Sequence, residues 1–104
     1  MIKAVSFHEM AELELYEAAE YYESQVSGLG LVFLSEVKRA TKAILQNPES
    51  SPRILKVVHR KLLRRFPYSI MYSIIDNSIF ILAIANQKRR PFYWRNRKEI
   101  YKKK

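Results

Sequence analysis

The sequence predicts an α+β fold in a single domain over residues 1–104: an N-terminal strand, then an α-helical hairpin packed on a small, mostly antiparallel sheet. The hydrophobic period supports this reading, because it is helical through the first half and becomes alternating or continuously apolar beyond Pro52. Both glycines of the chain fall in Ser27-Gly28-Leu29-Gly30, between two helix-period stretches, which marks the bend of a hairpin. With 48% apolar residues and only two glycines the composition is that of a compact protein, and a chain of this size buries about two-thirds of its unfolded surface in one core.

Ile2 to Phe7 alternate and open the fold as a short strand. From Glu9 to Gln25 the positions Ala11, Leu15, Ala18, Tyr22 and Val26 form one stripe, with Glu9, Glu12, Glu20 and Glu23 on the other side, so the first helix has an acidic outer face. The second helix follows the glycines, with Phe33, Val37, Ala40 and Ile44 inward and Ser35, Lys38, Arg39, Lys42 and Gln46 off that face. Asn47-Pro48 stops it, because proline disfavours the α region in the preceding residue and supplies no helical N–H. Glu49 to Pro52 is a loop. Ile54 to Val58 is β-prone, Leu62-Leu63 continue that pattern, and Arg64-Arg65-Phe66-Pro67 interrupts it as a turn or strand edge.

Tyr68 to Ile75 reads as a strand with Tyr68, Ile70, Tyr72 and Ile74 on one face and a mixed opposite face. Asp76-Asn77-Ser78 is a hairpin turn, since Asp and Asn tolerate positive φ. Ile79 to Ala85 shows no alternation, which predicts burial on both faces and a central place in the sheet, with the helices covering one face. The order is β-α-α-β-β-β, with room for a short C-terminal helix over Phe92 to Lys102, carrying Tyr93 and Arg97 on one side and Trp94 on the other.

Several function classes are excluded at this stage. There is no cysteine, and His8 and His59 have no ligand-like spacing, so no metal site is expected; no Gly-rich phosphate loop, nucleophile elbow or cofactor motif occurs. The acids sit mostly on the first helix, where they solvate rather than catalyse. The N-terminus lacks a signal-peptide core, and the longest apolar run, Ile79 to Ala85, is far below the roughly 18 residues that span a bilayer. The expectation is a cytoplasmic protein with no membrane association.

Charge is sharply divided. Residues 1–52 carry 4 Lys/Arg against 8 Asp/Glu, a balance of −4, whereas residues 53–104 carry 15 against 2, a balance of +13, which together give the net +9. Such asymmetry predicts a basic face, which usually meets nucleic acid, an anionic membrane or an acidic protein. Its centre is Asn86 to Arg97, where five cations surround Phe92-Tyr93-Trp94 directly behind the central strand. Arg60, Lys61, Arg64 and Arg65 lie before or in the preceding turn, and strand pairing brings the two clusters toward one end of the sheet. Arginines can stabilise a pentacoordinate phosphorane and tyrosine or lysine can move protons, so RNA cleavage without histidine is within this chemistry. Against it stand plainer roles: Phe92, Tyr93 and Trp94 pack the C-terminus onto the sheet, and Arg64 and Arg65 guard a strand edge.

Arg64-Arg65-Phe66-Pro67-Tyr68-Ser69-Ile70-Met71-Tyr72, followed by the apolar strand and by Lys88-Arg89-Arg90-Pro91-Phe92-Tyr93-Trp94-Arg95-Asn96-Arg97, resembles the RelE/ParE superfamily of bacterial toxins. Tyr21-Tyr22 in the acidic hairpin and the Asn47-Pro48 break extend the likeness over nearly the whole chain. The resemblance implies the toxin of a type II toxin–antitoxin module, neutralised by a cognate antitoxin with an acidic, amphipathic segment. It implies one of two targets: DNA gyrase, as for ParE-like members, or the translating ribosome with mRNA, where RelE-like members are endoribonucleases. An arginine common in the nucleases after the tyrosine that starts the third strand is Ser69 here, which favours the gyrase reading.

If the chain is a nuclease, the resemblance puts Arg89 or Arg90 and Tyr93 at catalytic positions, and Arg64 and Arg65 are the candidates to replace in space the charge absent at Ser69. Arg60, Lys61, Lys88, Trp94, Arg95 and Arg97 are then candidates for binding target or antitoxin. A non-toxic homologue that only binds an antitoxin is the remaining alternative. No cofactor is expected in any of the three.

Overall fold

The computed structural model describes residues 4–97. Chain order is β1 (Val5–Phe7), α1 (Glu9–Gln25), α2 (Leu29–Gln46), β2 (Arg53–Leu55), β3 (Val58–Leu62), β4 (Tyr68–Ile75) and β5 (Ser78–Asn86). The strands form one sheet in the order β1-β5-β4-β3-β2, antiparallel throughout except for the parallel β1–β5 pair. The α+β class, the helical hairpin and the mostly antiparallel sheet are therefore as the sequence predicts, with one strand more than expected.

The extra strand comes from the stretch Ile54 to Val58, read above as continuous. The chain reverses within it at Lys56, whose φ is 49°, and pairs Arg53 with His59 and Leu55 with Val58. Left-handed backbone is uncommon for lysine, so no Gly or Asn announces the turn. By contrast, the hairpin turn between β4 and β5 falls where expected, with Asp76 and Asn77 at φ 51° and 60°, but it is two residues long, since Ser78 already pairs with Ile75 in β5.

The helical hairpin depends on its two glycines and one acid. Gly28 takes φ 88°, and a Cβ on Gly30 would stand 2.6 Å from the Ala19 carbonyl oxygen, so the helices cross too closely for any other residue there. Gly28 caps α2 without a side chain, and Glu23 supplies what is missing: its two carboxylate oxygens accept from the Gly28 and Gly30 N–H groups, each at 2.9 Å. Val26, expected on the buried stripe, is 58% exposed because α1 ends at Gln25 and Val26 is already extended.

Two cores lie on the two faces of the sheet. On the helix side, Tyr22, Phe33 and Phe66 pack with ring centroids 4.8 to 5.4 Å apart over Ile70, Tyr72, Ile81 and Ile84. On the other side Val58, Met71, Phe80, Leu82, Ala83 and Ala85 pack against Trp94. The register of β5 explains its unalternating sequence. Met71 pairs with Ala83 but Tyr72 with Ile81, so Leu82 is a bulge and the adjacent Leu82 and Ala83 both join the second core.

The C-terminal segment departs from expectation. Phe92 to Asn96 are successive turns, with Tyr93, Arg95 and Arg97 N–H groups each reaching back three residues to the carbonyls of Arg90, Phe92 and Trp94. The rest of the helix expected over Phe92 to Lys102 lies outside the described residues, as do the first residues of the expected opening strand.

Candidate functional site

Beside Trp94, where the second sheet face is left uncovered, is an open cleft of about 530 Å³. Its floor is the sheet itself. The registers Arg60↔Met71↔Ala83 and Leu62↔Ser69↔Ala85 put Arg60 and Leu62 of β3, Ser69 and Met71 of β4 and Ala85 of β5 on this one face. Its wall is the segment after β5, including Arg89, Arg90 and Phe92. Among the described residues, the lining holds three arginines and neither a carboxylate nor a histidine. Such a surface attracts anions, and its apolar floor suits an amphipathic partner.

The wall is fixed in several places. The Gln87 N–H donates to the Pro67 carbonyl at 2.9 Å, Asn86 Oδ1 accepts from the Lys88 N–H at 2.8 Å, and Phe92 takes φ 61°. Trp94 is 2% exposed within the second core and anchors the segment, and the little of it that shows is at the cleft. Arg89 lays its guanidinium carbon 3.9 Å from the centroid of the Tyr93 ring. Lys88, Arg90 and Arg95 are exposed.

Arg97 turns away from the cleft, and Tyr93, whose ring still lines it, aims its hydroxyl the same way, toward Glu14, one of the first-helix acids read above as solvating. The Tyr93 hydroxyl donates to Glu14 Oε2 at 2.8 Å, and Arg97 grips the same carboxylate in a fork, Nη1 to Oε1 at 3.0 Å and Nη2 to Oε2 at 2.9 Å. Burial, then the hydrogen bond to Glu14 and its charge, push the Tyr93 phenol well above its ordinary range. A phenol so held is a poor proton donor or acceptor for chemistry in the cleft. Glu14 was detectable after all: it falls three residues after Ala11 and four before Ala18, inside the apolar stripe.

The same pair completes the sheet. β1 ends early, and its last bond to β5 is from the His8 N–H to the Ile81 carbonyl. Beyond it the Ile84 N–H donates to Glu14 Oε1 at 3.0 Å, and the Leu82 carbonyl accepts from Arg97 Nη1 at 2.9 Å. Two side chains thus stand where another strand would.

Arg64 and Arg65 do not join the cleft. They are at the same end of the sheet but belong to the helix side, where Glu36 of α2, only 4% exposed, accepts from the Arg64 N–H at 3.1 Å and from Arg65 Nη2 at 3.3 Å. Neither arginine therefore replaces the charge absent at Ser69. Lys61 pairs with Ile70 and so faces the helix side as well, near Arg64.

Burial by itself raises the Glu36 carboxyl, but the hydrogen bonds from Arg64 and Arg65 and the charges of Arg65 and Arg39 outweigh it and hold it below its usual value. A carboxyl depressed in the folded state stabilises above its unfolded value and loses that contribution as pH falls. Glu36→Gln is expected to lower the thermal midpoint around pH 7 by about 4–8 °C, the shift that ~1 kcal/mol produces in a domain of this size. The gap to the parent should close as pH drops through and below about 4. Midpoints measured from pH 7 to pH 3 check this, and a constant gap would contradict it.

Residues 5–91 match the family model described as ParE toxin of type II toxin-antitoxin system, parDE. Two relatives called Toxin ParE2, from Mycobacterium tuberculosis strains CDC 1551 / Oshkosh and ATCC 25618 / H37Rv, are each 30% identical over 95 residues, 88% of this chain and 88% of theirs. A chain of the chromosomal ParDE TA system from P. aeruginosa superposes with TM-score 0.72 at 18% identity, over 82% of this chain and 96% of that one. The isolated E. coli RelE toxin superposes with TM-score 0.54 at 20% identity, over 92% of this chain and 96% of its own. At such identities the two structures speak for a common fold.

Proposed function

Since the chain belongs to the ParE toxin family of type II toxin–antitoxin systems, we propose that this toxin arrests growth by binding DNA gyrase rather than by cutting RNA. The observation that carries this reading is a cleft rich in cations that, among the described residues, holds no carboxylate, no imidazole and no uncommitted phenol: Arg60, Arg89 and Arg90 face it, while the Tyr93 hydroxyl is committed to Glu14. Cleavage would need a general base or acid within reach of the phosphate, whereas binding needs only charge and shape.

Purified protein should inhibit gyrase supercoiling and accumulate cleaved DNA–gyrase complexes. No change at saturating toxin would refute the target. Ribosomes translating a defined mRNA should give no A-site cuts; cuts that vanish in Tyr93→Phe would establish the nuclease reading instead. Full growth on expression, with antitoxin binding intact, would leave a binding module alone. Action on gyrase places the toxin in the cytoplasm, and among the described residues no helix is long and apolar enough to cross a membrane.

Membership of the family implies an antitoxin partner. An acidic, amphipathic antitoxin segment fits the cleft, with carboxylates toward Arg60, Arg89 and Arg90 and apolar side chains toward Leu62, Met71 and Phe92. Lys88 and Arg95 add to the long-range field, and Arg97 does not, being paired. Replacing Arg89 and Arg90 together by alanine should weaken the complex with the antitoxin encoded beside the toxin gene by about tenfold or more, and flatten its dependence on salt. Titration calorimetry across ionic strengths measures both, and unchanged affinity and slope would contradict the assignment.

A further inference from the structure

We infer that Glu14 is the positioning residue of the cleft: by holding Tyr93 and Arg97 it fixes the wall that aims Arg89, and so sets how strongly the cleft takes anionic partners. The inference rests on the reading of the cleft as the binding surface.

The connection is continuous from α1 to the cleft. Glu14 accepts four hydrogen bonds, from the Ile84 N–H, the Tyr93 hydroxyl and both terminal nitrogens of Arg97. The Ile84 bond ties the carboxylate to the sheet, so what it grips is held relative to the cleft floor. Tyr93 in turn is the surface on which Arg89 rests, with Arg97 5.2 Å from the centroid of the same ring. Arg89 is exposed and makes no ion pair among the described residues, so its direction depends on that ring. Trp94 anchors the segment independently, and loosening Glu14 leaves that anchor in place. An arginine already held in its bound direction loses less rotamer entropy on binding, so its immobilisation costs less when a partner arrives.

The sign of the effect separates positioning from bulk charge. Glu14→Gln removes a negative charge and raises the net charge, so bulk electrostatics predicts tighter binding of any polyanion. Positioning predicts weaker binding. The probe is a fluorescein-labelled heparin fragment titrated into the full chain and followed by anisotropy. We expect Glu14→Gln to weaken binding roughly 3- to 10-fold, and Glu12→Gln, an equal charge change on the exposed side of α1, to leave it unchanged or tighter. On an Arg89→Ala background Glu14→Gln should have no further effect, although its effect on thermal stability should persist there.

Binding by Glu14→Gln equal to or tighter than the parent overturns the inference, and so do effects of Glu14→Gln and Arg89→Ala that multiply. Should Glu14→Gln not fold, Tyr93→Phe carries the test, because it keeps the ring under Arg89 and removes only the bond to Glu14; weaker heparin binding supports positioning and unchanged binding refutes it. Gyrase assays on the same proteins separate this from the target. A parent inactive on gyrase whose heparin binding still drops in Glu14→Gln overturns the target and leaves the positioning role standing.

Discussion

Replacing Trp94 by alanine is expected to cost about 3–5 kcal/mol, the range for truncating a buried Trp or Phe, and to abolish the cleft along with the stability. Trp94 is 2% exposed and covers a sheet face made of Val58, Met71, Phe80, Leu82, Ala83 and Ala85. The helices lie on the opposite face, so no neighbouring element can move in to fill the gap. Tyr93 binds α1 and Arg97 binds both α1 and β5 through polar groups, and water entering beside them would compete for those bonds. Urea unfolding measures the loss as a lower midpoint, and Trp94→Phe, which retains a ring, should fall between the parent and the alanine variant. A loss below about 1 kcal/mol, the scale of an ordinary point mutation, would mean that the second core does not depend on this side chain.

That dependence was only half legible in the sequence. The helices, β4 and the Asp76-Asn77 turn follow from local signals that tertiary structure had no reason to override: apolar stripes, a pair of glycines, a proline stop, and residues at ease with positive φ. The run Ile79 to Ala85 correctly announced burial on both faces. The run by itself does not say what covers the second face. Packing by Phe92, Tyr93 and Trp94 is one of two readings of the aromatic segment, and only the fold shows that Trp94 is the one buried there, because that segment has no regular period to mark an inward face. The reversal at Lys56 was hidden for a related reason, since nothing in the residue itself prefers the conformation it adopts.

The candidate site was legible in its charge and not in its wiring. A basic, aromatic segment behind a buried strand was readable, but whether a given cation faces a partner or an internal carboxylate depends on the acid opposite. Arg65 meets Glu36 and Arg97 meets Glu14. Both acids share a signal that was present in the sequence. Glu36 comes three residues after Phe33 and four before Ala40, as Glu14 does with Ala11 and Ala18, so each interrupts the inward stripe of its helix. A carboxylate at a stripe position must be paired once buried, and each finds its cation in the basic second half of the chain.

Arg97→Ala is the sharper test of that wiring and should destabilise the fold by about 3 kcal/mol, the low end of what losing one partner of a buried pair costs. The low end applies because each side chain keeps 12% exposure. For many buried ion pairs, replacing both partners by apolar residues restores stability, since the cost of burying charge disappears with the charges. Here the expectation differs. Arg97 also bonds the Leu82 carbonyl and Glu14 also accepts from the Ile84 N–H, so removing both leaves two backbone groups of β5 without the partners that β1 is too short to provide. Each such loss costs about 1–3 kcal/mol when water does not reach the group. The double variant Glu14→Leu with Arg97→Met should therefore remain clearly less stable than the parent by urea unfolding, with faster amide exchange at Ile84. A double variant as stable as the parent, with Ile84 still protected, would show that the pair serves only its own charges and that β5 needs no completion at this edge.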